Sequence, residues 1–192
     1  VVRKLAFAFS PAFRNCPYIL AWTLSLMERG FMSEKTYIPA GEQGQAPASQ
    51  IGATLEALAG TIHARRNAGD ESYTHRLLTG NADSPLKKVV EESNEVALAA
   101  KDVEAARALL AGVSGHEGSH PGMVEAFAKQ ADAACDHLRY EAADVVYHLL
   151  VVLERYGIDI DEFAAELNNR MTDEERPAGA VRLHEEHVKR GK

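Results

Sequence analysis

The chain has 192 residues, with 21 Lys and Arg against 28 Asp and Glu, a formal net charge of −7 and a pI near 5.6. That length suits one domain of ordinary size, and the acidic balance, with no dense Lys/Arg block, argues against a nucleic-acid partner. Cys16 and Cys135 lie far apart without metal-ligand spacing, which argues against a disulfide scaffold or a zinc knuckle and fits a reducing, cytoplasmic location.

In chain order, residues 1–31 carry Arg3, Lys4, Arg14 and Arg29 against a single acid, Glu28. Their apolar run, 18–27, is too short for a membrane span of about 20 residues, so no membrane partner is expected. The segment reads as an extension upstream of the fold rather than as a targeting peptide, since Met32 opens a stretch, Ser33-Glu34-Lys35, typical of an ordinary amino terminus. With Pro39, Gly41, Gly44 and Pro47 following, residues 1–50 are expected to be an extension and flexible leader outside the fold.

From residue 51 the pattern is helical. Ile51, Leu55, Leu58 and Ile62 recur at helical spacing and predict an amphipathic helix to 66. A short helix over 72–78 ends at Gly80. Ser84 as a cap and Pro85 at the first helical position predict a helix through 100, followed by a further helical stretch over 103–110. Residues 112–122, rich in Gly and His, predict a loop. A long helix over 123–156 should close on Gly157 in the left-handed conformation, with Leu138, Val145, Leu149 and Val152 as its apolar stripe. Asp161 then caps a last helix over 162–171, with Phe163 and Leu167 facing inward. Residues 172–192 read as a loosely held polar tail. With no strand pattern and no internal repeat, the expected fold is an all-α helical bundle spanning 51–171.

Two acidic motifs lie on these helices. Residues three apart on a helix are neighbours, roughly 5–6 Å between Cβ atoms, so Glu92 with Glu95, and Glu141 with Asp144, form two-carboxylate clamps. A single glutamate on a helix is ordinarily a solvated charge. Here Val89, Val90, Val96 and Ala97 surround the first motif, and Ala142, Ala143, Val145 and Val146 the second. Clustered hard oxygen donors suit Mg²⁺, or alternatively Mn²⁺, with a phosphate-bearing substrate completing the shell. A di-iron bundle would need Glu-x-x-His pairs, and these positions carry Glu95 and Asp144 instead. His184-Glu185-Glu186-His187 lacks the zinc-protease spacing.

The Glu91-Glu92-x-x-Glu95 and Glu141-x-x-Asp144 pair resembles the signature of the MazG-like nucleotide pyrophosphohydrolases. With Ser72-Tyr73-Thr74, Arg76-Leu77-Leu78, Lys87-Lys88, Leu98 to Asp102 and Tyr147-His148 around it, the chain resembles the phosphoribosyl-ATP pyrophosphohydrolase family over about 51–170. The resemblance implies Mg²⁺-dependent hydrolysis of phosphoribosyl-ATP to phosphoribosyl-AMP and pyrophosphate in histidine biosynthesis, by a homodimer. It implies Glu92, Glu95, Glu141 and Asp144 as metal ligands and Glu91 as an orienter of water. Lys87 and Lys88, and less strongly Arg76 and Lys101, are implied as substrate contacts; His148, four residues beyond Asp144 on the same helix, is a further candidate to touch substrate, with a histidine bonded within the core as the alternative. The alternatives are a house-cleaning nucleoside triphosphate pyrophosphatase of the same fold and a non-catalytic helical dimerisation protein. One departure from the family pattern is the long connection between the motifs. It marks an insertion at about 103–136, expected to extend a helical hairpin and leave the site intact.

Overall fold

The computed structural model describes residues 48–184 except 117 and 119, so the expectations for the leader, Cys16 and the end of the tail lie outside the described residues. Within them the regular structure is five helices and no strand: α1 Gln50–Arg65, α2 Tyr73–Thr79, α3 Asp83–Ser114, α4 Pro121–Arg155 and α5 Ile160–Asn168. The chain is all-α, as its periodicity requires. None of these helices is long and apolar enough to cross a membrane.

Local chemistry sets most helix ends. Ser49 Oγ accepts from Gly52 N at 3.2 Å and Ser72 Oγ from His75 N at 3.3 Å, so α1 and α2 both start on serine caps. Gly80 stops α2 because a Cβ there would lie 2.6 Å from the Arg76 carbonyl oxygen. The start of α3 differs from expectation. Asn81, not Ser84, covers the free amide of Asp83 at 2.9 Å, and Pro85 sits within the first turn, where its missing N–H leaves no bond unmade.

The helices expected over 84–100 and 103–110 are one continuous helix. Nothing between Ala99 and Val103 interrupts the backbone ladder, and α3 runs to Ser114. The connection is correspondingly shorter, and His120 Nδ1 accepts from Gly122 N at 3.2 Å to start α4, with Pro121 in its first turn. Residues 103–114 and 121–136 thus lie in the two arms of one long hairpin. Its arms run antiparallel, since Glu92 meets His148 near one end and Arg107 meets Cys135 further out. The buried positions of α3, Pro85, Glu92, Ala99, Val103 and Ala106, recur near multiples of two turns and form the seam towards α4.

The apolar core sits at the C-terminal end of α4. Ile62, Leu77, Leu78, Leu150 and Val151 are buried there, with Leu55, Leu58, Tyr147, Leu153 and Ile160 packed around them. Arg155 ties α2 to α4 by donating to the Leu77 and Gly80 carbonyls at 2.7 and 2.8 Å. The stripe expected on α4, Leu138, Val145, Leu149 and Val152, is only half-buried. The buried face instead carries Glu141, His148, Leu150 and Val151, because α3 covers the acidic side and α1 with α2 cover the rest.

Gly157 takes φ +70°, as predicted for the turn after α4. The cap of α5 is Asp159 rather than Asp161: Glu162 accepts from the Asp159 amide at 3.1 Å to complete a capping box, and the helix ends at Asn168. The cap lies two residues earlier than expected, and within the helix Leu167 is exposed while Ala165 and Asn168 are buried. Residues 172–184 are not loosely held. Arg176 donates to the Asn168 and Met171 carbonyls at 3.0 and 2.7 Å, and Asn168 Nδ2 donates to the Val181 carbonyl at 2.8 Å.

Candidate active site

The antiparallel hairpin brings the two acidic motifs to one level. Glu92 and Glu141 are 5% and 6% exposed, and with half-buried Asp144 they offer oxygens all within 4.8 Å of one another. Glu95 stands at the rim, exposed, and its hydrogen bond to Glu92, then loss of hydration, then the like charge of Glu92 and Glu141 raise its carboxyl above the usual range. Oxygens sharing a six-coordinate Mg²⁺ lie about 2.1 Å from the ion. Small rotamer adjustments would bring the three clustered carboxylates to that geometry, and buried acids this close are unfavourable without a cation. The donor set therefore fits a hard divalent metal.

Lysines from the preceding turn of α3 meet the acids. Lys88 Nζ lies 2.9 Å from Glu92 Oε1 and 3.3 Å from Glu91 Oε2, while Lys87 Nζ lies 3.1 Å from Glu91 Oε1. The bond to Glu92, then that to Glu91, holds the Lys88 ammonium above its usual range, and Lys88 in turn keeps Glu92 below the carboxylate range. Glu91 is likewise lowered, by Lys87 first and then Lys88. It faces the lysines, at the edge of the carboxylate cluster.

His148 is buried, one turn beyond Asp144 on α4. Its Nε2 lies 3.7 Å from Glu92 Oε1, and Nδ1 has no hydrogen-bond partner among the described residues. Burial pushes the imidazole below its usual range, against the opposing pull of the Glu92 charge. Tyr147 packs edge-on against it at 5.0 Å between centroids and Tyr73 at 6.2 Å. Thr74 Oγ1 and the Tyr147 hydroxyl share a bond of 2.7 Å, which fastens α2 beside the acids. The Arg76 guanidinium lies 5.9 Å from the centre of the Tyr73 ring and donates to the Asp70 carbonyl at 2.6 Å. Lys101 is further along α3, exposed and paired with Glu104 at 2.7 Å.

Two features were absent from the sequence reading. His137 Nε2 lies 2.9 Å from Glu141 Oε1, and its four-residue spacing from Glu141 was the signal available. A groove of about 390 Å³ on the far side of the core is lined by Gly60, His63, Leu150, Leu153, Glu154 and Ile158 among others, but holds none of the clustered acids.

A helical hairpin with buried carboxylates converging from both arms and lysines a turn away is the arrangement of the MazG-like, all-α nucleotide pyrophosphohydrolases. The chain belongs to the phosphoribosyl-ATP pyrophosphohydrolase family, whose model matches residues 55–171. It is 35% identical over 129 residues to "Phosphoribosyl-ATP pyrophosphatase" of Paracidovorax citrulli, covering 65% of this chain and 75% of that protein. It is 32% identical over 117 residues to the protein of the same name from Dechloromonas aromatica, covering 60% and 81%. It is also 33% identical over 118 residues to "Histidine biosynthesis bifunctional protein HisIE" of Halalkalibacterium halodurans, covering 62% of this chain and 41% of that protein. No solved structure matches.

Proposed function

We infer that this chain hydrolyses phosphoribosyl-ATP to phosphoribosyl-AMP and pyrophosphate, a step of histidine biosynthesis. Family membership supports the reaction, and the single structural observation behind the site is the convergence of Glu92, Glu141 and Asp144 oxygens within 4.8 Å.

Glu92, Glu95, Glu141 and Asp144 would hold Mg²⁺, with Mn²⁺ as a substitute. When bound, the ion supplies charge stabilisation at the phosphoryl oxygens and polarises water. The chain's own groups set the rest. Burial of Glu92 and Glu141 between the arms keeps bulk water from competing for their oxygens. Lys88, already the donor to Glu92, offers positive charge to the pyrophosphate as it departs, with Lys87 beside it and Arg76 reaching from α2. Glu91, held by both lysines, is the candidate to orient the attacking water. His148, one turn beyond Asp144 and beside Glu92, is the remaining candidate to meet the nucleotide. Lys101 serves only if the substrate extends along α3.

The apolar side chains left uncovered along the hairpin, Val90, Leu98 and Tyr140 among them, support a homodimer as the working form. A cytoplasmic location follows from the biosynthetic role of the family. The decisive measurement is pyrophosphate release from phosphoribosyl-ATP compared with ATP, dCTP and dUTP. Phosphoribosyl-ATP is expected to be turned over fastest, and equal or faster turnover of a free deoxynucleotide would overturn the assignment in favour of a house-cleaning pyrophosphatase.

A further inference from the structure

Each arm of the hairpin places a donor one turn before its buried glutamate. On α3 this is Lys88, 2.9 Å from Glu92 Oε1; on α4 it is His137, whose Nε2 lies 2.9 Å from Glu141 Oε1. The two donors differ in chemistry. Lysine brings a full positive charge, whereas imidazole with its proton on Nε2 donates a directed bond and can leave the cluster's negative charge in place. The His137 side chain is 55% exposed, so its ring reaches from solvent onto a carboxylate that is 8% exposed. Glu141 also meets the carboxyl of Glu95 at the rim, and its rotamer decides whether its oxygens meet those of Glu92 and Asp144.

We propose that His137 is a positioning residue of the metal centre: its Nε2–H donates to Glu141 Oε1 and holds that carboxylate in the rotamer that faces Glu92 and Asp144. The inference rests on the reading of these acids as a divalent-metal site. Groups that hydrogen-bond metal-ligating side chains typically change metal affinity 10–100-fold when removed. Because the ring is largely in water and lies mid-helix, replacing it disturbs the fold little. Metal affinity is therefore a cleaner readout than activity.

The test is a Mn²⁺ titration of the full-length chain followed by electron paramagnetic resonance, on the unsubstituted protein, His137→Ala and His137→Gln, with α,β-methylene-ATP absent and present. A glutamine amide can occupy the place of Nε2 and still donate. The expected result is a loss of Mn²⁺ affinity of about 10-fold or more for His137→Ala, substantial recovery in His137→Gln, and unchanged helical circular dichroism. Equal affinity in His137→Ala and the unsubstituted chain overturns the proposal, as does an equal loss in both variants. An imidazole nitrogen coupling in the pulsed spectrum that disappears in His137→Ala overturns it too, by making His137 a ligand. If the unsubstituted chain binds no Mn²⁺ even with the nucleotide analogue, the metal centre itself is wrong, a separate outcome from failure of the His137 role alone.

Discussion

Glu92 and Glu95 lie three residues apart on one helix, yet their surroundings push their carboxyls in opposite directions. Glu92 is buried but bonded to Lys88, which lowers it, while Glu95 shares a hydrogen bond with Glu92, loses hydration beside it and meets the like charge of Glu92 and Glu141, which raises it. A lowered carboxyl stabilises the fold above its unfolded pKa, and that contribution is lost as pH falls through the folded value. A raised one does the reverse: the metal-free fold carries a penalty at neutral pH that is relieved as pH falls through the raised value. Glu95→Gln should therefore raise the melting temperature of metal-free protein at pH 7, with the gain shrinking as pH is lowered towards 4.5, while reducing activity. Scanning calorimetry across that range in EDTA checks the sign. Glu92→Gln and Asp144→Asn should each lower kcat for phosphoribosyl-ATP by roughly 10²–10³, the range typical of removing one charge-stabilising group from an active site. Steady-state kinetics at saturating Mg²⁺ measures this, and undiminished turnover in either variant would remove that carboxylate from the site.

Among the helices, the short-range signals were the legible ones. Ser72 and Gly80 bracket α2 because a serine hydroxyl and a close carbonyl act within one turn, and Gly157 adopts the positive φ its position demanded. Errors came where two residues could serve equally well. Asp159 and Asp161 both suit a cap, and the choice fell to Asp159 because Glu162 completes its capping box. Ser84-Pro85 reads as a helix start, yet Asn81 covers the Asp83 amide first. The split expected near residue 101 had no Gly or Pro to enforce it. The packing of α1 and α2 on α4 was legible only through Ile62, Leu77 and Leu78. Ile62 is 1% exposed at the centre of this cluster, and Ile62→Ala should cost about 2–5 kcal/mol. Urea unfolding followed by circular dichroism provides the measurement, with a cost below 1 kcal/mol arguing that α1 is not part of the cooperative core.

At the level of the molecule, the apolar core gathers at one end of the hairpin, around Leu150 and Val151 of α4. The hairpin's distal seam is built from Ala99, Val103, Ala106 and Ala131, small side chains that each bury little surface. Val90 and Leu98 on α3 and Tyr140 on α4 remain exposed. Sedimentation velocity at micromolar concentration should accordingly give a dimer, and Val90→Glu should shift the population towards monomer; a single monomeric species for the unsubstituted chain would sink the dimer proposal.

The helical class, the reaction family and the acidic motifs were written in local patterns: residue spacing, short caps and carboxylates three apart, each of which acts within a turn or two of backbone. What needed the folded chain was the meeting of distant groups. The level at which α3 crosses α4 sets which carboxylates converge, buries Glu92 and Glu141 and leaves Glu95 at the rim. Asn168 at the end of α5 likewise meets Arg176 and Val181 only in the folded chain. The convergence of Glu92 with Glu141 and Asp144 depends on contact between arms separated by many residues, so no spacing along the chain could encode it, whereas the His137–Glu141 and Glu91–lysine pairs lie one turn apart on a single helix. The acidic motifs named the chemistry, and antiparallel packing of the hairpin made them one site.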